Sequence, residues 1–268
     1  ADHSDGMGLF PAVQAKEGWI MATPEGKRWG KMYDEGKNSE LALDLIFNFS
    51  QGNFSFKTND PKMMTPVWEG IVNDAEKYNE PGKFTAFIGY EWTSLISGNN
   101  MHRNVIYRDN GDKTIGYLPY TNEDSSDPED LWKYMAEYER TTGGKNLAIA
   151  HNGNLSNGMM FSETTVGGAA LTVEYAKERM KWEPIYEATQ IKGDGEAHPF
   201  LSPNDEFADF ENWDKGNLDL SAVKTNEMLE HEYARSGLKL GLKYQKEMGS
   251  NPFKFGMIGS TDSHTSLA

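Results

Sequence analysis

The stretch Asn146-Leu147-Ala148-Ile149-Ala150-His151-Asn152-Gly153 sets the pattern for the whole chain. A short, mostly apolar run stops at a histidine, and a turn-forming Asn and Gly follow. A run of this length bounded by turn residues predicts a buried strand. The same arrangement recurs. Lys83 to Tyr90 runs into Glu91, Asn104 to Tyr107 follows His102, Pro184 to Thr189 forms another run, and Phe253 to Ile258 leads through Gly259 to Asp262. Helices with readable ends lie between them. Thr65-Pro66 offers a cap and a first-turn proline for a helix through Tyr78, closed by Pro81-Gly82. Asp127-Pro128 opens a second, whose Leu131, Tyr134, Met135 and Tyr138 make an apolar stripe that ends at Gly143-Gly144. Tyr175 to Trp182 and Val223 to Met248 predict two more, Thr23-Pro24 opens another, and Leu41 to Phe49 fits either helix or strand. Gly193 to Asn217 reads as a long loop, a kind that usually serves a site or a lid. Alternating strands and helices are the α/β signature. No Pro/Ser-rich linker divides residues 1–268, which predicts one domain.

Composition narrows the partners. The 268 residues are 37% hydrophobic and include 7 Trp, 12 Tyr and 13 Phe, enough for a sizeable core. A net charge of −15 repels a phosphate backbone and argues against nucleic-acid binding. Metal charge can still override that field locally and admit an anionic small molecule. The absence of cysteine excludes disulfides, thiolate chemistry and Cys-type zinc sites. No apolar run is long enough to span a bilayer. The opening Ala1-Asp2-His3-Ser4 is neither an initiator Met nor a signal peptide, so the expectation is an internal piece of a longer protein. The composition fits a periplasmic or secreted protein slightly better than a cytoplasmic one. Oligomeric state is not legible.

Six histidines carry the chemistry: His3, His102, His151, His198, His231 and His264. His151 ends its strand, His102 precedes one, and Glu91 ends another in Gly89-Tyr90-Glu91-Trp92. Asp262 and His264 are two apart, so in an extended segment both side chains face one side and can reach one cation. Imidazole with carboxylate suits zinc, manganese or iron, and a carboxylate such as Glu91 can bridge two cations about 3.5–4 Å apart. Taken singly, each position has a plainer reading. An Asp-x-His at a strand end is more often a turn device, His151-Asn152-Gly153 could be a turn with a satisfied ring, and His231 reads as a solvated helix face. His198 lies in the long loop, where bracing the loop is at least as natural as facing substrate. The metal reading therefore rests on the set.

Asp2-His3, Gly89-x-Glu91, His151 after an apolar strand, and Ser260-x-Asp262-x-His264 resemble, in order, successive motifs of the polymerase and histidinol phosphatase (PHP) superfamily. More narrowly, Phe84 to Thr93, His102 to Asp109, His151 to Gly158, Lys192 to Phe210 and Asn251 to Thr265 resemble the bacterial domain-of-unknown-function family 3604. The resemblance touches nearly the whole chain. It implies a distorted (β/α)7 TIM-like barrel of the PHP type, binding two or three divalent metal ions (Zn, Mn or Fe), usually for phosphoester hydrolysis. By position it makes His3, His102, His151, Asp262 and His264 metal ligands and Glu91 the bridging carboxylate. The superfamily opens with a His-x-His pair that this chain lacks, so the expectation is a barrel without its first strand.

Three functional readings follow. The first is a hydrolase that activates water between metals, with Arg103 clamping an anionic group and Asp262 or His198 protonating the leaving group. The second keeps the metals but cleaves amides, lactones or sulfate esters. The third is non-catalytic, with Trp92, Tyr117, Tyr120, Trp182 and Trp213 lining a carbohydrate groove.

Overall fold

The computed structural model describes residues 1–263. Its strands are β1 (Ile88–Trp92), β2 (Leu95–Ile96), β3 (Asn99–Asn100), β4 (Arg103–Tyr107), β5 (Asn146–Ala150), β6 (Ile185–Gln190), β7 (Gly193–Asp194) and β8 (Gly256–Gly259). Six of them form one sheet in the order β1-β4-β5-β6-β7, with β8 paired to β6. β2 and β3 make a separate two-stranded ribbon between β1 and β4.

This overturns the expected (β/α)7 barrel. Among the described residues the sheet is open and mixed, with eight strands in all and no closed ring. The connection between β1 and β4 is one reason. Parallel neighbours need a crossover of about a dozen residues or more, usually helical, and the short segment 93–102 is spent on the β2–β3 ribbon. β1 and β4 therefore pair antiparallel, Ile88 opposite Tyr107 and Trp92 opposite Arg103. β4 and β5 are antiparallel too, whereas β5, β6 and β8 run parallel. β1, β5, β6 and β8 thus share one direction, with β4 against them. The carboxyl ends of those four strands and the start of β4 meet at one end of the sheet. A barrel was expected to gather the strand-end residues, and here strand direction in an open sheet does it.

Alternation along the strands divides the faces. Ile88, Tyr90 and Trp92 of β1, Val105 and Tyr107 of β4 and Ala148 of β5 enter one core. Trp68, Leu131, Met135, Tyr138 and Trp182 pack into it from the helices Pro61–Tyr78, Pro128–Thr142 and Val173–Trp182. Trp92 and Trp182 are 0% and 1% exposed, so they line no open groove. A second cluster packs Phe161, Tyr186 and Phe253, and a third gathers Leu9, Val13, Ile20, Trp29 and Leu41 in the N-terminal helices.

Helix ends follow local chemistry. Asp127 caps Pro128–Thr142 by accepting from Glu129 N at 2.9 Å, and Gly143 closes it at φ 64°. Thr23 caps Pro24–Asp34 as expected. The helix expected from Thr65-Pro66 starts earlier, because Asp60-Pro61 carries the same signal and Pro66 is absorbed inside the helix. Leu41 to Phe49 lies within the helix Asn38–Gln51. The single helix expected over Val223 to Met248 is broken into Asn226–Leu229 and Ala234–Met248, with Tyr233 extended between them. At that break Glu232, fully buried, pairs with Lys224.

Arg103 is also committed to the interior. It is fully buried, donates from Nε to Glu183 Oε1 at 3.0 Å and from a terminal nitrogen to Met101 O at 2.6 Å. Trp132 Nε1 and Arg179 complete the shell of Glu183 at 3.0 and 3.2 Å. Burial alone would raise the Glu183 carboxyl, but the charges of Arg103 and Arg179 outweigh it and hold it below its usual value. A group so depressed stabilises the fold at neutral pH and loses that contribution as pH falls through its folded value, below the ordinary carboxylate range. Glu183→Gln leaves two buried guanidiniums undercompensated, and the expected cost is about 3–5 kcal/mol. Urea unfolding at pH 7 measures it, and a loss below about 1 kcal/mol would mean that the network is not stabilising.

Candidate metal centre

Glu91 occupies the fourth position of β1, on the face opposite the Tyr90 and Trp92 rings, and is 1% exposed. An isolated carboxylate there would cost several kcal/mol or neutralise itself. Its partners are imidazoles. His102 Nδ1 lies 2.8 Å and His151 Nε2 3.0 Å from Oε1, and His3 Nδ1 lies 3.4 Å from Oε2. The rings of His3 and His102, and of His102 and His151, meet edge to face at 5.9 and 5.8 Å.

Each histidine is delivered by the backbone. His3 forms a parallel bridge with Glu91, in which Glu91 N donates to Asp2 O and Ser4 N to Glu91 O, both at 2.8 Å. His102 stands just before β4, and its amide is held by Asn100 Oδ1 at 3.0 Å. His151 follows β5 directly. Asn152 then turns the chain with φ 59°, a left-handed conformation that Asn tolerates better than most residues. Asp262, beyond β8, is bonded to the Lys192 ammonium and lies 3.4 Å from Asn152 Nδ2.

Among the described residues two groups of donor atoms have metal-binding proximity: His3, Glu91 and His102, and Glu91, His151 and Asp262, with each group's atoms within 4.8 Å of one another. Glu91 belongs to both. His102 adds a further fitting feature. With its Nδ1–H given to Glu91, the other ring nitrogen carries the lone pair, and this buried Nε2 has no hydrogen-bond partner among the described residues. Imidazole and carboxylate donors of this kind suit zinc, manganese or iron. The residues present therefore fit a divalent cation.

The electrostatics are mutual. Burial lowers His102 below the usual histidine value, with Glu91 pulling the other way. Burial also opposes charge on His151, but Glu91, Glu187 and Asp262 outweigh it and raise that ring. Burial pushes Asp262 up, yet His151 and Lys192 prevail and hold it low. Glu187 is raised, mainly by burial.

The structure thus brings together His3, Glu91, His102, His151 and Asp262. His264 lies outside the described residues. His198 stays in the long loop, bonded to Asp214 at 2.9 Å, and belongs to neither donor group. Arg103, on the core face, is engaged by Glu183 and Met101 rather than by this cluster. His231 braces a loop, its Nδ1 lying 3.1 Å from Phe161 O.

Sequence reasoning passed over two neighbours. Glu187 is a 3% exposed acid in the middle of β6, and an acid inside an otherwise strand-like run was the available signal. Lys192 follows β6 almost at once. It would have been found had the strand-end rule been applied to lysine.

A family model described as "Protein of unknown function (DUF3604)" matches residues 1–268. No curated protein and no solved structure matches the chain.

Because Glu91 is common to both donor groups, Glu91→Gln should abolish retention of divalent cations by both, while Asp262→Ala should spare the His3 group. Elemental analysis after dialysis reads the difference. Equal retention by the Glu91→Gln and wild-type proteins would contradict the shared role.

Proposed function

The chain belongs to the DUF3604 family, and we propose that it is a divalent-metal-dependent hydrolase of PHP-like chemistry, acting on phosphoesters of small molecules. The observation that carries this reading is the sharing of Glu91 between two imidazole-containing donor groups at one end of the sheet. A carboxylate placed between two such groups is the arrangement used to hold two cations about 3.5–4 Å apart. The order of Asp2-His3, Glu91, His151 and Asp262 along the chain supports the PHP assignment.

His3 and His102 would hold one cation with Glu91, and His151 and Asp262 the other. When bound, such ions supply Lewis acidity, which acidifies a water nucleophile and offsets charge gathering on the ester oxygens. The protein's own groups do the rest. Glu91, buried and ringed by imidazoles, fixes the spacing of the two donor groups. Asp262 is biased toward its carboxylate form by His151 and Lys192, so it suits cation holding or proton acceptance better than protonation of a leaving group. Thr93 Oγ1, 2.7 Å from His3 Nδ1, orients the one imidazole of the set that solvent reaches freely. His3 thereby marks the open side, where a substrate would enter.

The test is hydrolysis of chromogenic phosphomonoesters and phosphodiesters by protein reconstituted with Mn2+ or Zn2+. Chelation should abolish turnover and metal should restore it. Asp262→Asn should lower kcat/KM by about a hundredfold or more. Turnover that survives both chelation and Asp262→Asn would rule the reading out. Turnover of sulfate esters, lactones or amides with none of phosphoesters would correct the substrate class while leaving the metal-dependent site intact.

A further inference from the structure

Lys192 stands where a metal would compete with it. Its backbone is fixed on both sides, the amide donating to Gln190 Oε1 and the carbonyl accepting from Asn154 Nδ2 at 3.2 Å. From that anchor the side chain reaches Asp262 Oδ2, an oxygen of the Glu91–His151–Asp262 donor group. Its charge is felt at His102 and Glu187 as well. The side chain is 34% exposed while that of Asp262 is only 4% exposed, so the ammonium sits between the buried cluster and solvent. An ammonium on a buried carboxylate does electrostatically what a cation would do there, and a divalent ion bound to the same carboxylate would oppose it by charge repulsion. A divalent ion on Asp262 would repel the ammonium and leave it at the rim of a site with added positive charge. The guanidinium of Arg103 is buried against Glu183, away from this rim.

We propose that Lys192 is an exchangeable counter-cation: it neutralises Asp262 in the metal-free protein and, once metal holds Asp262, turns to the anionic group of the substrate. This rests on the metal-dependent reading above and sharpens it, since it requires a substrate carrying a phosphate-like oxyanion. Lysine suits the role because its four-carbon stem swings and its ammonium needs no fixed planar geometry.

The experiment is calorimetric titration of the full chain with Mn2+, then of the Mn2+-loaded protein with inorganic phosphate. Lys192→Gln should bind Mn2+ about tenfold more tightly at the Asp262 group, and its loaded form should bind phosphate about tenfold more weakly. Lys192→Arg, which keeps the charge, should restore both constants to within about threefold of wild type. A purely structural lysine would move neither in these opposite senses. Unchanged or weakened Mn2+ binding by Lys192→Gln overturns the exchange, and unchanged phosphate binding overturns the substrate contact. If the wild-type protein binds no Mn2+ or Zn2+ at all, the metal-dependent reading itself has failed, a result distinct from either of those.

Discussion

A carboxylate that is 1% exposed has to be compensated by its surroundings, and much of the local architecture around Glu91 serves that need. Three imidazoles approach it from three segments far apart in sequence. Satisfying it requires β1 to pair with β4 in the observed register, β5 to lie on the far side of β4, and the N-terminal segment to run beside β1. A one-residue slip in any of these strands would turn its side chains to the other face. Glu91 would then leave its three imidazoles and enter the face that carries Tyr90 and Tyr107, where the buried Arg103 is already held by Glu183.

The two faces divide the work. On one, large aromatic side chains and the Arg103–Glu183–Arg179 network fix strands to helices. At the strand ends, polar groups are concentrated beyond what packing requires. The loop after His151 is itself braced: Lys224 donates to Asn154 O at 2.6 Å and to Glu232 Oε2 at 2.5 Å, inside the protein. Burial raises Glu232 to about 7, against the pull of Lys224. That buried pair ties the His151 loop to the 224–232 segment, and the turn bringing Glu232 inward coincides with the interruption of the expected long helix.

Local signals were legible in the sequence wherever local physics decided the outcome. β5 matches its expected bounds residue for residue, and the Pro128–Thr142 helix shows its cap, stripe and glycine stop. Strand direction is set by pairing between distant segments, and the wrong barrel came from there: the runs were visible, but the antiparallel β1–β4–β5 ladder was not. Arg103 shows the same limit. Its place beside a strand was readable, whereas its inward direction follows from sitting opposite Trp92. The site fared better because a strand end is a local property. Glu91, His102 and His151 adjoin such ends, while Glu187, inside β6, was hidden by the run that contains it.

The role proposed for Glu91 is to join two cation sites within bonding reach of one carboxylate. Electron paramagnetic resonance of the Mn2+-loaded protein tests it most directly. Two ions bridged at about 3.5–4 Å are magnetically coupled, so the expected spectrum is that of an exchange-coupled pair. A spectrum showing only the hyperfine sextet of isolated Mn2+ at saturating metal would contradict it.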